Sequence, residues 1–430
     1  MATLIKGHWQ TEASTGLPRA DKRSCDYEAY VPDPLVGRAV SLEGSVAADV
    51  TDAEAAIVSL NAQATALVDT EALARLLLRA ESVASSRIEG LEIGPRRLLE
   101  AEAARRLGET TSDVTAAAVL ANIEAMAYAV NGVVEGDEIT LENILEVHRR
   151  LLAGSRLQES GGRVRTVQNW IGGSSYNPCS AAFVPPPPEL VHDLLIDLCR
   201  FCNDDSLPAV VQAALAHAQF ETIHPFVDGN GRTGRALIHL ILRRRGPARR
   251  VLPPVSLVLA TWATDYIGAL DGTRYLGPPT SDEAHEGLNR WVGLFATACR
   301  RAVDDATSFD ERTRELKIEW RERLGSVRAD STTDALLRAL PGAPVLTVKS
   351  ATALVGRSRV AVNQAIARLT DAGVLTQVTM GRRNRAFEAR ELIDAFIDLE
   401  RRLASPRGDT RAAPPVRRVP HRRERTDYPL

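Results

Sequence analysis

The sequence has 430 residues, which is long enough for two or three domains. Its hydrophobic content of 44% and charged content of 25% are ordinary for soluble globular proteins. The formal net charge of −2 excludes a global electrostatic attraction to nucleic acids or to membranes.

The cysteines and the apolar runs indicate the cellular compartment in which the protein is found. The N-terminus lacks the hydrophobic region of a signal peptide, and no apolar run reaches transmembrane length, so we expect no membrane association. Cys199 and Cys202 lie one turn apart in an apolar helical pattern, which favours buried thiols over a redox pair. The chain has five cysteines, an odd number, and their spacing is not that of a metal site. This cysteine usage fits a reducing cytoplasm. The five are Cys25, Cys179, Cys199, Cys202 and Cys299.

The first hundred residues predict an extended segment followed by helices. Residues 1 to about 50 are polar and contain several Pro and Gly, and the pattern becomes helical from Ala53. A helix with one apolar stripe then ends in the hexad Ser85-Ser86-Arg87-Ile88-Glu89-Gly90, with Gly90 placed as a C-cap. Ser85 and Glu89 are four residues apart and share a face. The stripe comprises Leu73, Leu76, Leu77, Ala80, Val83, Ala84 and Ile88.

The middle of the chain predicts two helices and a strand. The helices cover residues 117–129 and 141–152, and the second carries His148, which we interpret as a core or capping histidine. Residues 162–173 alternate and end in glycines, as a short hairpin strand does. The residues alone favour an ordinary surface hairpin before the Pro-rich start of the next helix.

Residues 224–235 concentrate groups suited to nucleotide chemistry. They read His-Pro-Phe-Val-Asp-Gly-Asn-Gly-Arg-Thr-Gly-Arg, directly after a helix predicted from Pro208 to Phe220, in which His217 is assigned a structural role. The Gly-Asn-Gly segment can adopt backbone conformations closed to most residues, so its N–H groups can converge on an anion. An apolar run, residues 236–242, predicts a buried helix whose N-terminus favours phosphate.

Side chains of the same stretch add charge and a proton acceptor. Asp228 is a hard oxygen ligand suited to a phosphate-bound Mg²⁺. Arg232 and Arg235 lie on one face of the first helical turn, where they can clamp phosphate oxygens. His224 can take a proton near neutral pH, and Phe226 anchors the loop in the core.

Two other nucleotide motifs do not fit. The glycines satisfy G-x-G-x-x-G, but a dinucleotide site needs a preceding strand and an acidic residue about twenty positions later. Here a helical pattern precedes the motif and a basic, proline-containing segment follows it. No G-x-x-x-x-G-K-S/T phosphate loop occurs in the sequence.

The whole stretch resembles the signature of the Fic (Fido) family, H-x-F-x-D/E-G-N-G-R-x-x-R. This resemblance implies a mainly α fold, with a Fic-type helical core and a short β-hairpin flap over the active site. It also implies an enzyme, a protein adenylyltransferase, that transfers AMP from ATP with Mg²⁺ to a Tyr, Thr or Ser hydroxyl of a target protein. The fixed positions are matched by His224, Phe226, Asp228, Gly229, Asn230, Gly231, Arg232 and Arg235.

The resemblance also assigns roles to residues. His224 would be the catalytic base and Asp228 the Mg²⁺ ligand. Tyr266 resembles the position beside the adenine, although Ile267 stands where the family commonly has an aromatic residue. Residues 162–173 look like the flap that holds a target segment as an added strand. The nucleotide-binding positions would be Asp228, Gly229, Asn230, Gly231, Arg232, Thr233, Gly234, Arg235 and Tyr266.

The hexad that ends the first striped helix resembles the Fic inhibitory motif S/T-x-x-x-E-G/N. The resemblance implies that Ser85, Glu89 and Gly90 belong to an inhibitory helix and that Glu89 pairs with Arg235. A solvated carboxylate at a helix end is the ordinary interpretation of Glu89 without that resemblance. The helix dipole slightly disfavours a carboxylate at this end, and a basic partner would offset that effect.

The C-terminal part predicts a separate unit. Its order of three helices, a strand, a basic turn and a return strand resembles a winged helix-turn-helix, which can place its third helix in the DNA major groove. A protein-docking module with no DNA contact stays an alternative. The residues predicted to face outward are Arg359, Asn363, Gln364, Arg368, Arg382, Arg383 and Arg385.

These patterns divide the chain into five regions. They are an N-terminal region with the inhibitory helix (1–105), a Fic core (106–303), a helical linker (304–331), a winged helix-turn-helix (332–404) and a basic disordered tail (405–430). The same loop chemistry also suits other Fic phosphotransfer reactions or the removal of AMP. A DNA-binding regulator with the core as a scaffold is the rival from another class. Modification of the chain itself and a homodimer are left open.

Overall fold

The computed structural model describes residues 1–10, 22–65, 70–94, 97–98, 101–102, 105, 113–380 and 384–403. Within these residues the chain forms fourteen α-helices and five β-strands, which confirms a mainly α fold. The basic turn at residues 381–383 and the tail from residue 405 lie outside the described residues. The first twelve elements are β1 (Thr3–Trp9), β2 (Cys25–Val31), α1 (Gly44–Thr65), α2 (Thr70–Ile88), α3 (Val114–Asn131), α4 (Leu141–Leu152), α5 (Pro188–Cys202), α6 (Ala209–Ile223), α7 (Asn230–Arg244), α8 (Val255–Thr261), α9 (Ala263–Asp271) and α10 (Asp282–Leu324).

Helix α6 is the centre of the core. Every one of its residues is buried, and it packs against α1, α5, α7 and α10. A helix that is apolar or small all round is typical of such a position. Gly234 of α7 allows a close approach, because a Cβ there would lie 3.0 Å from the Phe220 ring. The two helices that flank the 224–235 loop are therefore fixed firmly in the core.

A buried carboxylate ties α2 to α7 and α8. The fully buried Glu81 of α2 accepts a hydrogen bond from the backbone N–H of Ser256 (2.8 Å). Its other oxygen lies 2.9 Å from Nε2 of His239 on α7. Because Ser85 and Glu89 follow Glu81 at four-residue steps, this contact fixes their position along α7, opposite Arg235.

The N-terminal segment, which was expected to be only extended, forms an antiparallel hairpin of β1 and β2. It packs on the segment before α5 through Trp9, whose ring meets that of Trp170 edge to face at 5.1 Å. A disulfide joins Cys25 to Cys179, with their Cα atoms 5.7 Å apart. Cys199 and Cys202 are free and buried, as predicted. The disulfide weakens the argument from cysteine usage for a reducing compartment, so the cytoplasmic location stays a prediction.

The flap segment departs from the predicted strand. Residues 162–173 form no regular strand, and a single antiparallel bridge joins Ile171 to Phe183. The side chains of Arg165 and Asn169 donate to carbonyls of the loop after α6, so this backbone follows that loop instead of a partner strand. The prediction of a regular strand was therefore wrong.

One helix departs from the expectation that no apolar run reaches transmembrane length. Helix α3 is long and apolar enough to cross a membrane by length and composition alone. It packs against α2, α4 and α7, with half of its length buried. Core helices often share these properties, so the composition is weak support for a membrane span.

Helix α10 runs for 43 residues and joins the core to the C-terminal unit. The predicted boundary between core and linker, at residues 303 and 304, falls inside this unbroken helix. Near its end, the indole N–H of Trp320 donates to Glu391 (2.6 Å), and Phe309 meets Phe396 edge to face at 6.3 Å. The C-terminal elements are α11 (Thr332–Ala339), β3 (Val345–Thr347), α12 (Val348–Val355), α13 (Arg359–Asp371), β4 (Thr376–Met380), β5 (Asn384–Glu388) and α14 (Arg390–Leu403).

The C-terminal unit contains the predicted helices and strands in the predicted order, and it adds strand β3 before α12 and helix α14 after β5. Its strands form an antiparallel sheet in the order β3-β5-β4. Gly356 ends α12 in the left-handed conformation, and Ser358 caps α13, as predicted. The winged-helix identity stays a prediction. Arg368 is exposed, as predicted, but its guanidinium donates to the carbonyls of Leu324, the last residue of α10, and of Ser326. It is therefore not a free cation.

The C-terminal unit also contacts the predicted inhibitory helix. The turn Leu340–Gly342 packs against α2, and Leu340 is fully buried. We expect Leu340→Ala to lower the free energy of unfolding by about 2–5 kcal/mol, because it leaves a cavity between α2 and this unit. The measurement is urea unfolding followed by circular dichroism.

The control is Val360→Ala, at an exposed position of α13, which should change the free energy by at most about 0.5 kcal/mol. Equal unfolding midpoints for the two variants would show that the C-terminal unit is not packed on α2 in solution.

Candidate active site

The site begins where α6 ends. His224 follows the last turn in the left-handed conformation, with φ 49° and ψ 60°, and its N–H donates to the carbonyl of Phe220 (2.9 Å). This conformation costs a residue other than glycine on the order of 1 kcal/mol, so surrounding contacts must hold it. It turns the chain sharply out of α6 and into the loop that precedes α7.

Phe226 and Asn230 close the loop. The Phe226 ring is fully buried, as predicted, and its backbone N–H and C=O both bond with the side-chain amide of Asn230, at 2.8 Å each. Asn230 thus uses its side chain to shape the loop, while its backbone remains in the first turn of α7. The predicted nucleotide-binding role of this residue can rest only on that backbone.

His148 supports the loop from α4. Its ring stacks on Phe226 with centroids 3.7 Å apart. The N–H of Gly162 donates to Nδ1 (3.0 Å), and Nε2 lies 2.9 Å from the carbonyl of Asp228. This pattern assigns the proton to Nε2. Burial lowers the pKa of His148 to about 4, so the ring stays neutral. The interpretation as a core histidine is confirmed.

The predicted anion cradle coincides with the start of α7. Gly229 adopts φ 80° as the N-cap, and Gly231 lies in the first turn. The backbone N–H groups of this turn have no partner within the helix and attract anions. A Cβ on Gly231 would overlap the carboxylate of Glu89, so this carboxylate lies directly against the first turn of α7.

Arg235 connects this cradle to the end of α2. Its side chain is 1% exposed. Nε donates to the hydroxyl of Ser85 (2.9 Å), and Nη2 donates to the carbonyl of Ser85 and to Glu89 Oε1, both at 2.8 Å. Gly90 follows with φ 78° and terminates the helix. The structure thus brings Ser85 and Glu89 of the predicted inhibitory motif onto Arg235, the arginine predicted to pair with Glu89.

The pair is charged in this arrangement. Burial opposes ionisation of Glu89, but the charge and hydrogen bond of Arg235 outweigh it, and the pKa of Glu89 is lowered. Burial likewise opposes the charge of Arg235, yet Glu89 and other nearby anionic groups raise its pKa. Arg235 therefore carries a fixed positive charge that Glu89 neutralises.

Asp228 and Arg232 lie at the mouth of the cradle. The Asp228 side chain is 51% exposed, 3.5 Å from Nη2 of the buried Arg232. Among the described residues, Nε of Arg232 and the hydroxyl of the buried Thr233 have no hydrogen-bond partner. Arg232 and Asp228 are therefore placed to meet a further ligand, whereas Thr233 is enclosed in the core and Gly234 serves the packing of α6 on α7.

His224 and Glu221 have strongly perturbed acidity. Burial lowers the pKa of His224 to about 4, and its Nδ1 has no partner within the described residues. A neutral imidazole can accept a proton. Burial raises the pKa of Glu221 to about 7, against the opposing charge of Arg235. Glu221 is one of the residues that the sequence did not single out.

Tyr266 lies deeper than expected. Its side chain is 3% exposed, and its hydroxyl lies 2.7 Å from Nε2 of His217. His217 is fully buried, which confirms its structural role. The structure does not show an open face of Tyr266 for a base, so its contact with adenine stays a prediction. Arg165 and Asn169 were also missed, since a buried donor to loop carbonyls follows no sequence pattern.

Comparisons with known proteins identify two regions. Residues 138–242 match the Fic/DOC family, and residues 47–131 match the Fic/DOC family N-terminal region. Among solved structures, a Fic family protein from Desulfovibrio desulfuricans G20 is 21% identical, with a TM-score of 0.50. The match covers 81% of this chain and 97% of that one, and it shows a shared fold.

Curated relatives match over shorter lengths. Protein adenylyltransferase fic-1 of Caenorhabditis elegans is 33% identical over 181 residues, which are 40% of this chain and 33% of the relative. Protein adenylyltransferase Fic of Drosophila virilis is 42% identical over 135 residues, which are 30% of this chain and 25% of the relative. The chain thus spans about a third or less of the length of these two relatives.

The matched regions contain the site described above, since the first carries α4 to α7 with His224 and Arg235 and the second carries α2 with Glu81 and Ser85. The site thus lies within the two regions that match the Fic/DOC family, residues 138–242, and the Fic/DOC family N-terminal region, residues 47–131.

Proposed function

We propose that this protein transfers AMP from ATP to a Tyr, Thr or Ser hydroxyl of a target protein and that Glu89 restrains it. The observation that carries the proposal is the meeting of Glu89, Arg235 and the first turn of α7, next to the neutral His224. One acidic side chain there fills an anion site built from a helix N-terminus and a buried arginine. The names of the curated relatives support the same reaction.

The phosphates of ATP fit the start of α7. The N–H groups at Gly229, Asn230 and Gly231 would hold the α- and β-phosphates, and Arg232 would contact the β side. Arg235 would take the γ-phosphate once Glu89 has left. Positive groups fixed in a buried site stabilise the charge of the transition state without reorganisation.

Asp228 suits a Mg²⁺ ion bound jointly with these phosphates. Mg²⁺ is usually held by one or two carboxylates together with phosphate oxygens and water. The half-exposed carboxylate of Asp228 at the mouth of the cradle fits that donor set. No cluster of three or more potential ligands occurs in the described ranges. The bound ion would neutralise phosphate charge.

His224 acts as the base. It accepts the proton of the target hydroxyl, the hydroxyl oxygen forms a bond to the α-phosphorus, and the bond from that phosphorus to the leaving oxygen of pyrophosphate breaks. Such proton removal is worth about 10²- to 10⁴-fold in rate. The lowered pKa of His224 keeps the base unprotonated throughout the neutral range.

Glu89 opposes this reaction by competing for Arg235. An arginine that is bonded to a carboxylate cannot also hold the γ-phosphate, so ATP would bind in a pose unsuited to in-line attack. The position of Glu89 against Gly231 adds steric exclusion of a phosphate. Helix α2 is thus the proposed inhibitory helix, and its release is the proposed activating step.

The first test asks which part of ATP is transferred. We expect the Glu89→Gly protein to transfer label from α-labelled ATP, not from γ-labelled ATP, to itself or to proteins of a cell extract. Intact-mass spectrometry should show the addition of one AMP. His224→Ala in the same background should lower the rate by about 10²- to 10⁴-fold. Transfer from γ-labelled ATP would identify a phosphotransferase instead, and equal labelling by both variants would exclude His224 as the base.

The second test concerns inhibition. We expect Glu89→Gly to raise the initial rate of labelling by about 10²-fold, because misplacing reacting atoms by about 1 Å costs that much. The matched control is Glu92→Gly, an exposed carboxylate three residues further on, which should leave the rate unchanged. The gain should vanish when Arg235→Ala is added. A rate equal to that of the parent at saturating ATP would show that Glu89 is only a helix-end carboxylate.

DNA binding by residues 332–404 is a second proposal, favoured by the exposed side chains of Arg359, Asn363 and Gln364 on α13. We expect weak binding of the full chain to duplex DNA in gel shifts, falling steeply with salt. Arg359→Gln should weaken it, whereas Arg290→Gln on α10, also exposed, should not. Absence of binding at low salt would favour a protein-docking role for this unit.

A further inference from the structure

Two side chains of the flap segment converge on the backbone of His224. Arg165 donates from Nε to the carbonyl of His224 (2.9 Å), and Asn169 donates from Nδ2 to the same carbonyl (3.1 Å). Asn169 also donates to the carbonyl of Phe226 (3.0 Å). The residue in the strained left-handed conformation is thus held by two donors that belong to neither helix of the loop.

Arg165 makes further bonds of the same kind. Its backbone N–H donates to the carbonyl of Pro225 (2.9 Å), Nη1 donates to the carbonyl of Val167 (3.1 Å), and Nη2 donates to the carbonyl of Pro186 (2.5 Å). These bonds connect the flap segment to both sides of the loop. They fix where the backbone of His224 lies and, through it, where the imidazole can point.

The charge of Arg165 is unusual for its position. The residue is 3% exposed, and none of the described carboxylates pairs with it within 4.0 Å. Burial lowers its pKa to about 10, which still leaves it charged at neutral pH. A buried charge with only carbonyl partners is costly, and polar groups of this kind are often retained for function.

The positive charge of Arg165 affects the pKa of His224. Burial is the largest cause of the lowered pKa of His224, and the positive charges of Arg165 and Arg274 lower it further. The backbone carbonyl of Glu221 and the carboxylate of Glu89 act in the opposite direction. Glu221 also faces this region, and its own pKa is raised to about 7. Loss of the charge of Arg165 must therefore raise the pKa of His224.

We propose that Arg165 is a positioning residue that holds His224 in its left-handed turn and places a fixed positive charge near its imidazole, with Asn169 as a second donor to the same carbonyl. The proposal rests on the function proposed above, since it assumes that His224 is the base. It assigns two separable tasks to Arg165, a hydrogen-bonding task shared with Asn169 and an electrostatic task that Asn169 cannot perform.

Kinetics of AMP transfer separate these tasks. In the Glu89→Gly background, we expect Arg165→Gln to lower kcat by about 10²-fold with the KM for ATP unchanged, because the base is misplaced and the cradle is not. The acid limb of the pH profile should move up by about one pH unit, since the neighbouring positive charge is gone. Asn169→Ala should lower kcat without moving that limb.

Two controls complete the series. Arg163→Gln makes the same change at an exposed arginine two residues earlier and should alter neither kcat nor the acid limb. Arg165→Lys keeps the charge and one donor, so it should restore the position of the acid limb and part of kcat. If Arg165→Gln fails to fold, Arg165→Lys and Asn169→Ala still test the hydrogen-bonding task, since both should lower kcat. An acid limb that moves in Arg165→Lys would overturn the electrostatic task.

Titration of the imidazole tests the electrostatic task without catalysis. The signal of His224 in NMR spectra of the full chain, assigned by its loss in His224→Ala, should titrate at a higher pH in Arg165→Gln than in the parent. If no variant transfers AMP, the proposed function fails, and this titration still decides the electrostatic task of Arg165. An unchanged titration midpoint, or a fall in activity matched by a fall in melting temperature with no shift of the acid limb, would reduce Arg165 to a structural residue.

Discussion

The structure depends on the buried guanidinium of Arg235. A charge that is 1% exposed must have partners, because an unpaired buried charge costs several kcal/mol. Arg235 donates to the end of α2, through the hydroxyl and carbonyl of Ser85 and the carboxylate of Glu89. Removing α2 would leave Arg235 in need of another anion. The same charge therefore stabilises the observed arrangement and, in the proposed reaction, would attract a phosphate once Glu89 has left.

The dipoles of two helices explain why the carboxylate of Glu89 is stable between the end of α2 and the start of α7. Glu89 follows the C-terminus of α2, where the dipole of its own helix disfavours a negative charge. The carboxylate lies against Gly231, however, at the N-terminus of α7, where the opposite end of a dipole attracts it. The fixed charge of Arg235 adds to that attraction. Both attractive interactions of Glu89 are made with α7, so the local sequence of α2 cannot predict them.

Local patterns predicted much of this molecule. Helix α4 has the predicted bounds, Leu141–Leu152, because its apolar stripe is regular and Thr140 caps it. The residues that end α12 and cap α13, Gly356 and Ser358, were also predicted correctly. The core motif and the hexad around Glu89 were found because family resemblance supplied what periodicity cannot, namely that two segments 146 residues apart meet.

Long-range contacts account for what was missed. The disulfide between Cys25 and Cys179 spans 154 residues, so it leaves no local signal. Arg165 and Arg368 both bond to backbone carbonyls of distant segments. Helical phase predicts which way such an arginine points, but it cannot predict an acceptor that another part of the chain presents.

The continuity of α10 has a consequence for how the molecule melts. A helix of 43 residues is about 65 Å long at 1.5 Å per residue, and it runs beside α1 and α6 at one end and α14 at the other. Buried side chains occur along it from Ala284 to Leu324, so it has no unsupported joint at which one end could fray alone. The core and the C-terminal unit should therefore unfold in one cooperative transition, because both are packed on the same continuous helix.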